Sequence, residues 1–102
     1  MKVLWTEEEL ADQPGVTLWI AALEFPDRDE RVHLGSIRAV EGAFLPPHRA
    51  TFYEIVDLRL GELRVSEPLR AEILAALEQH VERPTRSEVL AFEDRVEARL
   101  RS

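Results

Sequence analysis

The 102-residue chain has no cysteine, carries a formal charge of −7, and is 45% apolar and 32% charged. Without cysteine, disulfides, thiolate catalysis and cysteine-ligated zinc are excluded, and the length fits a single domain spanning residues 1–102. The first residues contain no apolar signal-peptide core, and no apolar run reaches the length of a membrane span. We therefore expect a cytoplasmic protein that does not contact a membrane.

The negative charge is concentrated at the front of the chain. Residues 1–30 contain eight acidic and two basic side chains, a net −6, whereas residues 31–102 contain twelve and eleven, a net −1. Such a front repels a phosphate backbone, which disfavours direct nucleic-acid binding, and attracts a basic protein surface. The alternative is that these acidic residues only keep the protein in solution. The acidic candidate binding residues are Glu7, Glu8, Glu9, Asp27, Asp29 and Glu30.

The N-terminal segment predicts a short edge strand followed by a short helix or turn. Residues 2–5 form an apolar stretch that is typical of an edge strand. Thr6 and Glu9 have the spacing of a capping box, which predicts a helix start, and Pro14-Gly15 predicts its end.

Two longer strands are predicted next. Residues 16–25 alternate with apolar side chains on both faces. This pattern is typical of a central strand that is covered on both sides, or covered on one side and docked to a partner on the other. Residues 31–40 predict a second strand, with a bulge or bend at Gly35-Ser36.

The middle of the chain predicts a loop and then a β-hairpin. Residues 41–50 contain Pro46-Pro47, which cannot join a sheet ladder, so we expect a loop there. Residues 51–60 alternate like a third strand. Gly61-Glu62 fits the central pair of a two-residue type II′ turn into a short strand.

Two helices are predicted at the C-terminal end. Ser66 is the expected N-cap of the first, with Pro68 in its first turn and Pro84 after its end. Thr85 and Glu88 form a second capping box. The apolar stripes are Leu69, Ile73, Leu74, Leu77 and Val81 on the first helix, and Val89, Phe92, Val96 and Leu100 on the second. The predicted fold is therefore α+β: an antiparallel sheet of three to five strands within residues 1–65, then two helices packed on one face.

Several side chains leave two interpretations open. Phe44, beside Pro46-Pro47, is either an exposed interface anchor or a lid that folds back onto the sheet. The stripe of the last helix either covers the sheet or pairs with its copy in a homodimer. No two histidines have metal-ligand spacing, so we expect no metal and no cofactor. A pocket formed by His33, His48, Tyr53 and Glu54 would instead indicate a small ligand-binding or enzymatic domain.

The segment YEIVDLRLGELRVSEPLRAEILAALEQ, residues 53–79, resembles small phage and prophage α+β accessory proteins, which are mostly of unknown function. The resemblance covers about a quarter of the chain and rests on a strand, a glycine turn, a polar cap and a helix of the LxxEILxxLE kind. It implies a small mobile-element protein that binds and blocks a larger host protein.

The sequence thus predicts a non-enzymatic, acidic protein-binding module, with a larger partner that has a basic surface. Its predicted binding residues are the six acidic residues above and Phe44. The predicted activity is inhibition of a host protein or nucleic-acid-binding complex. Two other functions remain open: a homo-oligomeric structural subunit, and a small ligand-binding or enzymatic domain.

Overall fold

The computed structural model describes residues 1–101, which form three strands followed by three helices. The elements are β1 (Lys2–Glu9), β2 (Val16–Glu24), β3 (Arg31–Val40), α1 (Pro46–Glu62), α2 (Glu67–Glu78) and α3 (Arg86–Arg101). The predicted α+β class, with an antiparallel sheet preceding the helices, is confirmed. The predicted number of helices was wrong, because the described chain has three and not two.

The sheet is an antiparallel meander in the order β1-β2-β3, with β2 at the centre as predicted. The β2–β3 register shifts by one residue, since Ala21 pairs with Gly35 and Ala22 with His33. Leu34 is therefore the extra residue of a β-bulge, one position before the predicted bend. Gly35 lets α1 approach closely, because a Cβ there would lie 3.2 Å from Val56 Cγ2.

The helix predicted to start at Thr6 does not exist. Residues 6–9 continue β1 and pair with β2 up to the contact between Glu9 and Thr17. A capping box is a local signal worth about 1 kcal/mol, and a complete strand ladder with its paired side chains outweighs it.

The predicted third strand and hairpin were also wrong, since residues 46–62 form the single helix α1. Its buried side chains Phe52, Tyr53, Val56 and Leu60 follow a helical period, while Leu58, which a strand would have placed beside Val56, is 66% exposed. Pro46 begins the helix, where a missing backbone N–H costs no hydrogen bond.

A Schellman motif stands where the hairpin turn was predicted. The N–H of Val65 donates to Leu60 O at 3.3 Å, and the N–H of Arg64 donates to Gly61 O at 3.1 Å. Arg64 adopts φ 54°, the left-handed conformation that this helix ending requires and that glycine usually supplies. The chain therefore turns from helix to helix at this point, and not from strand to strand.

The two predicted C-terminal helices are confirmed as α2 and α3. Ser66 is the N-cap of α2 but makes no side-chain capping hydrogen bond. At α3 both bonds of the predicted capping box form: Thr85 N–H donates to Glu88 Oε1 at 3.2 Å, and Glu88 N–H donates to Thr85 Oγ1 at 3.1 Å.

The core lies between one face of the sheet and the helices. Its buried residues are Ala21, Leu23, Leu34 and Ile37 from the sheet, Phe52, Tyr53, Val56 and Leu60 from α1, and Ile73, Leu77 and Val81 from α2 and the residues after it. Arg59 Nε of α1 donates to His33 O at 3.1 Å, which covers part of the outer edge of β3. Of the two C-terminal helices that were predicted to pack on one face of the sheet, α2 contributes to this core, whereas α3 contributes no buried residue. The other face of the sheet stays outside the core.

Candidate protein-docking surfaces

The sheet face away from the helices carries an apolar centre that none of the helices within residues 1–101 covers. Leu4 of β1 and Leu18, Ile20 and Ala22 of β2 point to this side, and none of them belongs to the core cluster. Each is only half-buried. Charged and polar side chains border this centre, on β1 and on β3. This surface, called the open face below, comprises Leu4, Thr6, Glu8, Leu18, Ile20, Ala22, Ser36 and Arg38.

The second uncovered surface is the C-terminal half of α3. Phe92 is half-buried and lines a groove with Pro47, at the start of α1, whereas every residue from 93 to 101 is exposed. The apolar stripe continues there through Val96, 42% exposed, and Leu100, 82% exposed. The molecule measures 56 × 32 × 21 Å with a radius of gyration of 15.5 Å, against about 13 Å for a compact domain of this length. Residues 93–101, called the arm below, therefore project from the body.

Ion pairing fixes the start of α3 to α1. Arg49 Nη2 donates to Glu88 Oε2 at 2.7 Å, and its Nη1 donates to Glu82 O at 3.1 Å. The hydrogen bond from Arg49, assisted by that from the Thr85 backbone, lowers the pKa of the Glu88 carboxyl. The base of the arm is thus held in one orientation although its tip is uncovered.

A shallow groove lies between the open face and α1. It is lined by Ser36, Arg38, His48 and Thr51 over an apolar floor. His48 Nδ1 is buried and has no hydrogen-bond partner within residues 1–101. The exposed Arg38 and Thr51 leave this groove open to solvent, so it does not enclose a ligand.

The acidic candidate residues are divided between the two ends of the sheet. Glu7, Glu8 and Glu9 are exposed at the end of edge strand β1, with Glu9 opposite Thr17. Asp27, Asp29 and Glu30 are exposed in the β2–β3 turn, about 20 Å away along the strands. They form two separate clusters and not one acidic patch. Charges on an edge strand also discourage pairing with other chains, which is a structural reason for the three glutamates.

Phe44 packs onto the aromatic cluster beside the sheet. It contacts Trp5 edge-on at 6.2 Å between ring centroids and is half-buried, so its position is that of a lid. Trp5 is also sandwiched between Trp19 at 5.4 Å and His80 at 5.3 Å, both nearly parallel to it. The sequence did not reveal this stack, because it depends on the register of β1 against β2 and on the end of α2.

The polar groups of the predicted pocket do not converge. Tyr53 is buried and donates its hydroxyl to Val81 O. Glu54 and His33 are exposed, and His48 lies roughly 16 Å along α1 from Arg59, the residue that contacts His33. Within residues 1–101 no group of three or more histidine, aspartate or glutamate side chains is placed to hold a metal ion. None of the helices in that range is both long and apolar enough to cross a membrane.

The fold and its two uncovered surfaces define a three-stranded α+β domain with a projecting C-terminal helix. The chain matches no protein-family model, and the comparisons with curated proteins and with solved structures found no match.

Proposed function

We propose that the chain is a non-enzymatic protein-binding module that docks through its arm. The exposed apolar stripe at the tip of α3 carries this proposal, since Val96 and Leu100 extend beyond the body that covers the start of the same stripe. An exposed apolar stripe on a helix is typical of helices that bind in an apolar groove of a partner. The separation of His33, His48, Tyr53 and Glu54 supports a binding role over an enzymatic one.

The flanks of the stripe define the chemistry of the partner groove. Glu93 and Glu97 border the stripe on one side, and Arg95 borders it on the other. A complementary groove has an apolar floor, a basic side chain facing Glu93 and an acidic side chain facing Arg95, since Glu97 already pairs with Arg101. Because Arg49 and the capping box fix the start of α3, docking orders few additional residues, which favours affinity.

The proposed partner is a larger protein with a basic surface, as the sequence predicts. Glu7 and Glu9 are exposed and point to the helix side of the sheet, away from the open face, so they are available for steering toward such a surface. The resemblance to phage accessory proteins adds that docking blocks a host protein or a nucleic-acid-binding complex.

The test is a pull-down from a bacterial lysate with matched arm variants. The double variant Val96→Glu, Leu100→Glu removes the stripe, and Ala98→Glu adds a charge on the far side of the same helix as the control. We expect a stoichiometric partner that the wild type and Ala98→Glu capture and that the double variant loses. All three should melt within a few degrees of each other, since the positions are exposed.

Two outcomes contradict the proposal. One is a partner that the double variant captures as well as the wild type does, and the other is the absence of any captured protein. A further variant, Glu7→Gln with Glu9→Gln, separates steering from docking. It should slow association and reduce its dependence on salt without changing the melting temperature.

A further inference from the structure

The apolar side of β2 that faces away from the core needs a physical explanation. A sheet with one solvated face normally alternates apolar and polar side chains, yet Leu18, Ile20 and Ala22 make the outward side of β2 apolar as well. Such a strand is typical of a sheet that is packed on both faces. The open face therefore has the composition of a buried surface.

The charged residues that border this apolar centre are arranged in register. Glu8 of β1 pairs with Leu18 of β2, and Leu18 pairs with Arg38 of β3. These three residues form one rung across the sheet, acidic at one side, apolar in the middle and basic at the other. Within residues 1–101 neither Glu8 nor Arg38 takes part in an ion pair.

The neighbouring rung has the same symmetry without charge. Thr6 pairs with Ile20, and Ile20 pairs with Ser36, so a hydroxyl borders an apolar centre on each side. Each rung therefore complements a second copy of itself that is turned end for end.

We propose that the open face binds the open face of a second copy, with the two-fold axis running along β2. This axis reverses each rung, so Glu8 of one copy lies opposite Arg38 of the other, and the same contact forms twice. Ile20 and Leu18 of the two copies pack in the centre, with the sheets about 10 Å apart as in an aligned β-sandwich.

The charges favour this axis over the perpendicular one. A two-fold axis across the strands through Ile20 would bring Arg38 opposite His33 and Glu8 opposite Leu4, and would leave the Glu8–Arg38 match unused. The axis along β2 brings Lys2 opposite Arg31 and Glu24 opposite Glu24 at the far end. Within each copy Glu24 borders both bases, and its Oε2 is 3.8 Å from Arg31 Nε. The like charges are therefore partly neutralised there.

The area of the open face determines how tightly the two copies are expected to bind. Three strands of eight to ten residues give a footprint of roughly 25 by 14 Å on each copy. The two flat footprints together cover about 700 Å², and because side chains make the accessible surface rougher than a plane, the dimer buries on the order of 1,000 Å² in total. This is the lower limit for a specific interface. We expect a dissociation constant in the micromolar range and a dimer that dissociates on dilution.

The inference does not rest on the proposed function, because the arm and the open face are on different elements. The Val96→Glu, Leu100→Glu variant should dimerise like the wild type. A dimer that this variant abolishes would be an arm-to-arm dimer and would overturn the proposal.

Charge reversal provides the test, with sedimentation velocity over protein concentrations from about one to a few hundred micromolar. Glu8→Arg alone places two bases opposite each other in both contacts, and Arg38→Glu alone places two acids there. Each should weaken dimerisation at least about tenfold. An equimolar mixture of the two variants should form a heterodimer, and the double variant should recover the wild-type homodimer.

Circular dichroism establishes that each variant is folded. The milder variants Glu8→Gln and Arg38→Gln, which should each weaken the dimer partly, replace any reversal variant that does not fold. A wild type that stays monomeric at the highest concentration overturns the proposal. So do single variants that dimerise normally, or a mixture of folded variants in which no heterodimer appears.

Discussion

Replacing Tyr53 with phenylalanine should destabilise the protein at neutral pH. Tyr53 is 2% exposed and donates its hydroxyl to the carbonyl of Val81, which joins α1 to the segment after α2. The guanidinium of Arg83 lies over the ring at 4.3 Å and would remain in Tyr53→Phe. The variant therefore leaves mainly one buried carbonyl without its donor, which costs about 1–2 kcal/mol and should lower the melting temperature by about 5–10 °C.

The same hydroxyl should make the protein sensitive to alkali. Burial, together with the nearby charge of Glu78, raises the pKa of Tyr53 to about 12 from 10.0. Between these two values the unfolded chain has lost the phenolic proton and the folded chain retains it. Stability is thus complete below about pH 10 and falls as the pH rises further, by on the order of 2 kcal/mol near pH 12.

The amino-acid composition leaves few other side chains that ionise in this pH range. The chain has one tyrosine, and its single lysine, Lys2, is exposed. In a Lys2→Arg background Tyr53 is the only side chain that ionises between about pH 10 and pH 12. Urea unfolding at several pH values should show an alkaline loss of stability that Tyr53→Phe removes. Two results would refute this prediction. One is an equal loss of stability at alkaline pH with and without Tyr53→Phe, and the other is a Tyr53→Phe variant as stable as its parent at neutral pH.

Two further predictions concern helix ends and are checked by urea unfolding. Thr85→Ala removes an observed capping hydrogen bond and should lower the free energy of unfolding by about 1 kcal/mol. Ser66→Ala removes an N-cap hydroxyl that makes no such bond and should lower it by less than about 0.5 kcal/mol. Equal losses in the two variants would contradict the capping geometry. Arg64→Gly should stabilise the protein by about 0.5–1 kcal/mol, because it relieves the left-handed conformation at the end of α1; a loss of stability would show that the Arg64 side chain matters more than its backbone strain.

The helices α2 and α3 could be predicted from the sequence because their signals are local. Thr85 and Glu88 form the bonds that their spacing predicts, and Pro84 separates the two helices as expected. The central position of β2 could also be predicted, since a strand with apolar side chains on both faces has few other places in a sheet.

The identity of α1 could not be predicted by the same method, because two periodicities overlap in it. Phe52 and Val56 fit both a strand face and a helix face, and Leu58 fits only the strand. The buried Tyr53 decides for the helix, but its burial involves Val81 and Arg83, which contact it from the segment after α2. Tertiary contact therefore outweighed a run rich in β-branched and aromatic residues.

The open face could not be predicted, because the sequence wrongly predicted a helix starting at Thr6. A helix beginning at Thr6 places Glu8 outside the sheet, so its alignment with Leu18 and Arg38 cannot be seen. Only the observed ladder of β1 and β2 shows that these residues form one rung. Register is set by pairing along the whole strand and not by any single residue, which is why side-chain spacing alone does not reveal it.

The two proposed surfaces explain together why so much apolar side-chain area stays outside the core. A monomer leaves Ile20 on the outer side of β2 half-buried and Leu100 at the tip of α3 exposed, and exposed apolar patches promote nonspecific association. The surfaces lie on different elements, so a dimer formed through the open face keeps both arms available. Two arms held in one dimer bind a partner with two grooves more tightly than either arm alone, since the second contact is intramolecular. A weak face contact and a short arm, each of low affinity, can therefore act together as one tight binder.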